Sequence, residues 1–121
     1  MSIVPTFIHG VLDYIVSALV IGLPFVFGTT GVACYALVAI GVVGIVYSSV
    51  TDYEPALVRL IPMRTHLFLD VFFIAALVAV ATSGNVSRPL SIALGAIAAC
   101  AAVLVVTTKT APPHVSQGVR Q

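Results

Sequence analysis

The sequence predicts an all-α membrane protein: four transmembrane helices arranged as two parallel two-helix hairpin repeats, with N- and C-termini in the cytoplasm. Three observations lead there. Of 121 residues, 60% are hydrophobic and only 7% charged, against about 25% charged in a typical soluble domain. Four apolar runs are each close to the roughly 20 residues a helix needs to cross hydrocarbon. A motif from the head of the first run returns, 57 residues later, at the head of the third.

The first run is "FIHGVLDYIVSALVIGLPFVFG", residues 7–28, with Pro24 near its end. It carries no basic leader and no small-residue cleavage pattern, and His9 and Asp13 interrupt it, so it reads as a retained helix and not as a signal peptide. The second is "GVACYALVAIGVVGIVYSSV", residues 31–50. Residues 63–82, "MRTHLFLDVFFIAALVAVAT", form the third, and residues 90–107, "LSIALGAIAACAAVLVVT", the fourth. Short turns, "TTG" and "SGNVSRP", join the runs into hairpins. Repeat 1 thus covers about residues 4–50 and repeat 2 about 61–108, together one transmembrane domain over 1–108. The link at 51–62, "TDYEPALVRLIP", is amphipathic and is expected to lie along the membrane surface. The polar, proline-containing tail at 109–121 is expected to be disordered.

Orientation follows from the basic residues. Arg59, Arg64, Lys109 and Arg120 fall on one side and Arg88 on the other, which places the link and both termini inside. Tyr47 and Tyr53 then lie near the inner boundary, as members of an aromatic belt would. The net charge of +1 gives no reason to expect a nucleic-acid partner. Cys34 and Cys100 fall at different depths, which argues against a disulfide and for two small packing residues.

The repeat is the strongest internal signal. A shift of 57 residues overlays Pro5 on Pro62, His9 on His66, Leu12 on Leu69, Asp13 on Asp70 and Ala18 on Ala75, with Val4 falling on Ile61. An even number of crossings separates the copies, so both His/Asp pairs enter from the same side, as parallel repeats about an axis along the membrane normal. Within each pair the spacing of four puts both side chains on one helix face. Asp13 lies about 12 Å along the helix from Pro5, within the hydrocarbon, where a central charge costs about 2.5–3.5 kcal/mol. The two carboxylates must therefore face the interior and find partners there.

Four readings of His9, Asp13, His66 and Asp70 are open at this level. The first is a polar clasp in which His9 bonds Asp70 and His66 bonds Asp13, fixing how the hairpins dock. The second is a proton or ion site with titrating carboxylates. The third is a b-type haem between His9 and His66, with Arg59 and Arg64 near its propionates and Gly10 making room. The last is a divalent metal site, with the two histidines as its first ligands.

Elsewhere, Cys34, Leu37, Gly41, Gly44 and Ser48 form one stripe on the second helix, and Ser91, Gly95 and Ala99 a small-residue series on the fourth. Both are expected to allow close helix approach, first of all within the bundle and otherwise against a membrane-protein partner or a second copy. Asp52, Glu54, Arg59 and Arg64 offer a surface charge cluster that could serve for docking. No phosphate-binding loop, nucleophile elbow, CxxC or HExxH pattern is present, so an enzyme is not expected.

Three stretches, "HGVLDY", "GLPFVFG" and "YSSVTDYEPALVRLIPMRTHLFLD", resemble the SPW-repeat integral membrane proteins of bacteria, over roughly residues 4–82. The chain departs from that family at its name-giving motif: Leu23, Pro24 and Phe25 stand for Ser-Pro-Trp, and the second copy has Val80, Ala81 and Thr82 there. The resemblance implies a small four-helix protein of the bacterial cytoplasmic membrane and no particular activity. The expectation for function is a structural or accessory membrane protein, possible as a subunit of a larger complex, locked by the His/Asp set. The alternative is a proton-linked, haem-binding or metal-binding protein that uses the same four residues.

Overall fold

The computed structural model describes residues 5–51, 58 and 60–108. Four helices follow one another: α1 (Thr6–Val26), α2 (Gly31–Ser49), α3 (Met63–Ala81) and α4 (Arg88–Thr107). Each is long and apolar enough to span a membrane, which makes the chain a multi-pass membrane protein by helix length and hydropathy. Only 17% of the most apolar stretch of α4, and 28% in each of the other three, is buried inside the molecule. The bilayer must therefore solvate the larger part of every helix.

Helices α1 and α3 begin alike. Pro5 and Pro62 are both extended at the N-cap, with φ/ψ of −69°/154° and −71°/158°. A proline there loses nothing, because the first N–H groups of a helix have no intrahelical acceptor. Each proline carbonyl instead takes the first helical bond, from His9 N and His66 N respectively, both at 3.1 Å. The proline thus sets the register that places a histidine one turn into each helix.

Helix α1 ends soon after Pro24, and Gly28 turns the chain with a φ of 67° that favours glycine. Helix α2 then returns close against α1 along Ala33, Leu37, Gly41, Gly44 and Ser48. A β-carbon at Gly41 would stand 2.7 Å from the Ser17 carbonyl oxygen, and one at Gly44 would meet Ser17 Oγ and the Phe73 ring. The expected stripe is therefore an intramolecular seam, with Ala33 in the place given to Cys34. Both cysteines are free, Cys34 half-buried and Cys100 exposed, so Cys100 is not the interior packer expected of it.

In α4 the expected small-residue face is off by one position. Leu90, Leu94 and Ala98 are buried, whereas Gly95 and Ala99 are exposed and a β-carbon at Gly95 would touch nothing within 4 Å. The reason is packing: Leu90, Leu94 and Ala98 complete one apolar core with Val20, Leu37, Phe73 and Leu77. Ser91 still contributes, by donating its hydroxyl to the Ala81 carbonyl at 2.7 Å across the α3–α4 turn.

Helix α1 packs mainly on α2, and α3 on α4, while α2–α3 and lighter α1–α4 contacts close a ring. Helices α1 and α3, which carry the His/Asp pairs, thus lie diagonally across the bundle. After α2 the chain folds back on itself: the amides of Leu60 and Ile61 both donate to the Val50 carbonyl at 2.8 Å, and Val58 N to Ser49 O at 3.0 Å. Of the expected docking cluster, Arg64 is exposed in the first turn of α3; Asp52, Glu54 and Arg59 lie outside the described residues. So do Tyr53, the middle of the amphipathic link and the tail at 109–121.

Candidate functional site

The four residues singled out by the repeat meet in one buried cluster. His9 and His66 are 1% and 0% exposed, and the Asp13 and Asp70 side chains 13% and 9%. Each imidazole turns Nε2 towards both carboxylates. His9 Nε2 is 3.0 Å from Asp70 Oδ2 and 3.2 Å from Asp13 Oδ1. His66 Nε2 is 2.6 Å from Asp13 Oδ2 and 3.2 Å from Asp70 Oδ2. The shorter contact of each histidine runs between repeats and the longer one along its own helix. The rings stand edge to face, with centroids 5.4 Å apart.

The other ring nitrogen is held just as firmly. His9 Nδ1 lies 2.6 Å from Thr108 Oγ1, and His66 Nδ1 lies 2.7 Å from Thr51 Oγ1. Both threonines directly follow or nearly follow a helix end, and each directs its hydroxyl hydrogen back to the carbonyl four residues earlier: Thr108 to Leu104 at 2.5 Å, Thr51 to Tyr47 at 2.6 Å. A hydroxyl has one hydrogen. With that hydrogen given to a carbonyl, the oxygen can only accept from the ring, so Nδ1–H is the donor in both histidines. The tautomer is thereby set from outside the cluster, and Nε2 is the nitrogen left to face the carboxylates.

These threonines were not among the expected site residues, although the sequence marks them. The same shift of 57 that pairs His9 with His66 pairs Thr51 with Thr108. Each histidine takes the threonine of the other repeat, so the starts of α1 and α3 and the ends of α2 and α4 meet at one end of the bundle.

Tyr47 is the second addition, and it corrects an expectation. Instead of joining an outward aromatic belt, it turns inward, donates its hydroxyl to Asp70 Oδ1 at 2.5 Å, and sets its ring edge-on to His66 at 4.9 Å. A membrane-facing tyrosine keeps its hydroxyl at the lipid headgroups; here a buried carboxylate oxygen is the stronger acceptor. The shift of 57 puts Leu104 where a second tyrosine would be. The pseudo-symmetry therefore breaks at this point. Asp70 uses Oδ2 towards both histidines because Tyr47 occupies Oδ1, while Asp13 turns one oxygen to each histidine.

Beside the cluster lies a cavity of about 20 Å³, lined by His9, Asp13, Ser17, Asp70, Phe73 and Leu104 among others. It has room for about one water molecule. A porphyrin between His9 and His66 does not fit this packing, because the carboxylates fill the space on which both Nε2 atoms converge. Arg64, expected near a propionate, is exposed at the first turn of α3.

Chemically, the cluster gathers two imidazole nitrogens and two carboxylates. Two shared protons make it neutral as a set. Among the described residues, the one buried side-chain polar atom without a hydrogen-bond partner is Ser48 Oγ, outside the cluster. Comparison of the chain with protein-family models, curated proteins and solved structures yields no match.

Proposed function

We propose that this chain is a small structural or accessory protein of the bacterial cytoplasmic membrane, built as two parallel hairpin repeats with both termini inside, and that it serves as a subunit of a larger membrane assembly. The observation that supports this reading is the closure of the polar cluster. His9 and His66 each bond a carboxylate and a threonine of the opposite repeat, so the clasp ties helices that lie diagonally across the ring. In hydrocarbon, apolar contact between helices is no better than contact with lipid, and buried polar pairs become the specific joints. The described helices otherwise expose many large apolar side chains, which fits a protein whose partners are lipid and other membrane helices. Membership of the SPW-repeat proteins is part of the same proposal and rests on the stretches quoted above.

The test is native electrophoresis of membranes solubilised in mild detergent. The accessory reading expects the chain to migrate with a defined larger complex, and Asp70→Asn to loosen both the fold and that association. A chain that migrates alone, with Asp70→Asn fully stable, contradicts it.

A further inference from the structure

We propose that His9 Nε2, His66 Nε2 and one oxygen each from Asp13 and Asp70 form a tetrahedral site for a divalent first-row cation of the zinc type. The site uses the residues of the clasp and goes beyond it: one state of the cluster is closed by two protons, the other by one metal ion.

Geometry is the first support. The four ligand atoms all lie within 4.8 Å of one another, and the nitrogen–oxygen contacts run from 2.6 to 3.2 Å. A tetrahedral ion with bonds of about 2.0–2.2 Å holds its ligands roughly 3.3–3.6 Å apart. The nitrogen–oxygen contacts lie below that value and the widest ligand pair above it at up to 4.8 Å, so the contacts would open by a few tenths of an ångström and the widest pair would close by about 1.2–1.5 Å, shared between two side chains.

The outer contacts are the second, independent support. A metal-bound histidine generally donates its other ring N–H to a fixed oxygen, which sets the tautomer and aims the lone pair. Both histidines do so here, through Nδ1–H to Thr108 and Thr51, whose own hydrogens are directed elsewhere. Tyr47 similarly steadies Asp70 through the oxygen that does not face the histidines. The proton-closed clasp uses the same two acceptors for its buried Nδ1–H groups, so the threonines hold both rings in the metal-ready orientation in either state.

Charge is the third. A dication between two carboxylates and two neutral imidazoles is balanced, which membrane burial requires. The donor set also selects the ion. Two nitrogens and two oxygens suit zinc, cobalt and their neighbours; calcium seeks six to eight oxygens, and magnesium an octahedron of them. The adjoining cavity of about 20 Å³ touches Asp13 and Asp70 and leaves space for one water beside the carboxylates, outside the tetrahedral set.

The test is a titration of the untagged full-length chain, stripped with chelator in detergent micelles, with Co²⁺, whose tetrahedral complexes absorb strongly in the visible. The expected result is one ion per chain, a tetrahedral cobalt spectrum, and its loss when Zn²⁺ displaces the cobalt. His66→Gln should abolish the spectrum, and Thr108→Val should keep it while weakening affinity about ten- to a hundredfold. A helical parent chain that gives no such spectrum overturns the site. So does binding that persists unchanged in His66→Gln, or, where that variant fails to fold, unchanged affinity in Thr108→Val. A parent that binds no cobalt but is destabilised by Asp70→Asn overturns the metal site and leaves the clasp in place.

Discussion

His9 and Thr108 lie 99 residues apart and share a buried 2.6 Å hydrogen bond in which the ring N–H donates and the threonine oxygen accepts. His66 and Thr51, their counterparts under the 57-residue shift, repeat that bond at 2.7 Å. The two bonds cross, each leaving one repeat for the other. They join the first turns of α1 and α3 to the residues just past the ends of α2 and α4, so the polar end of the bundle is closed from four directions.

Thr108→Val removes an acceptor and leaves a buried N–H without one. The expected loss is about 1–2 kcal/mol of stability, read by reversible unfolding in lipid–detergent micelles. Thr51→Val should cost a similar amount, and Ser at either position should restore most of it.

Tyr47→Phe keeps the ring against His66 but removes the hydroxyl that donates to Asp70. A loss of about 1 kcal/mol is expected from the same unfolding measurement. An unchanged midpoint would mean that the tyrosine contributes packing alone.

Two glycine substitutions separate the seams of the bundle. Gly41→Ala sets a methyl group 2.7 Å from the Ser17 carbonyl and should destabilise by about 1–3 kcal/mol. Gly95→Ala meets nothing within 4 Å and should be neutral or slightly stabilising, since alanine is the better helix former by about 1 kcal/mol. Equal effects at both positions would contradict the assignment of faces.

Helix extents were legible because hydrocarbon thickness imposes them: the four apolar runs and the four helices agree to within two residues. The His/Asp cluster was legible because carboxylates inside such runs have few alternatives to meeting each other. Which way α4 turns was not. In a soluble protein hydropathy separates the inner from the outer face, but lipid is as apolar as a leucine core. Leu90 and Ser91, or Leu94 and Gly95, therefore compete for the interior on shape alone. Tyr47 misled for a related reason, because a tyrosine near a helix end suits the headgroup region until a buried acceptor lies within reach. Thr51 and Thr108 carried a signal in the 57-residue repeat, yet a hydroxyl residue at a helix end is too ordinary to stand out before its partner is known.

The central claim is that the two hairpins are joined through cross-repeat His–Asp contacts, and a double-mutant cycle on His66 and Asp13, 2.6 Å apart, tests it most directly. Unfolding free energies of the parent, His66→Gln, Asp13→Asn and the double variant should give a favourable coupling of about 0.5–2 kcal/mol. Effects that add to within about 0.3–0.5 kcal/mol would show that the two residues do not act on each other, and would contradict the account.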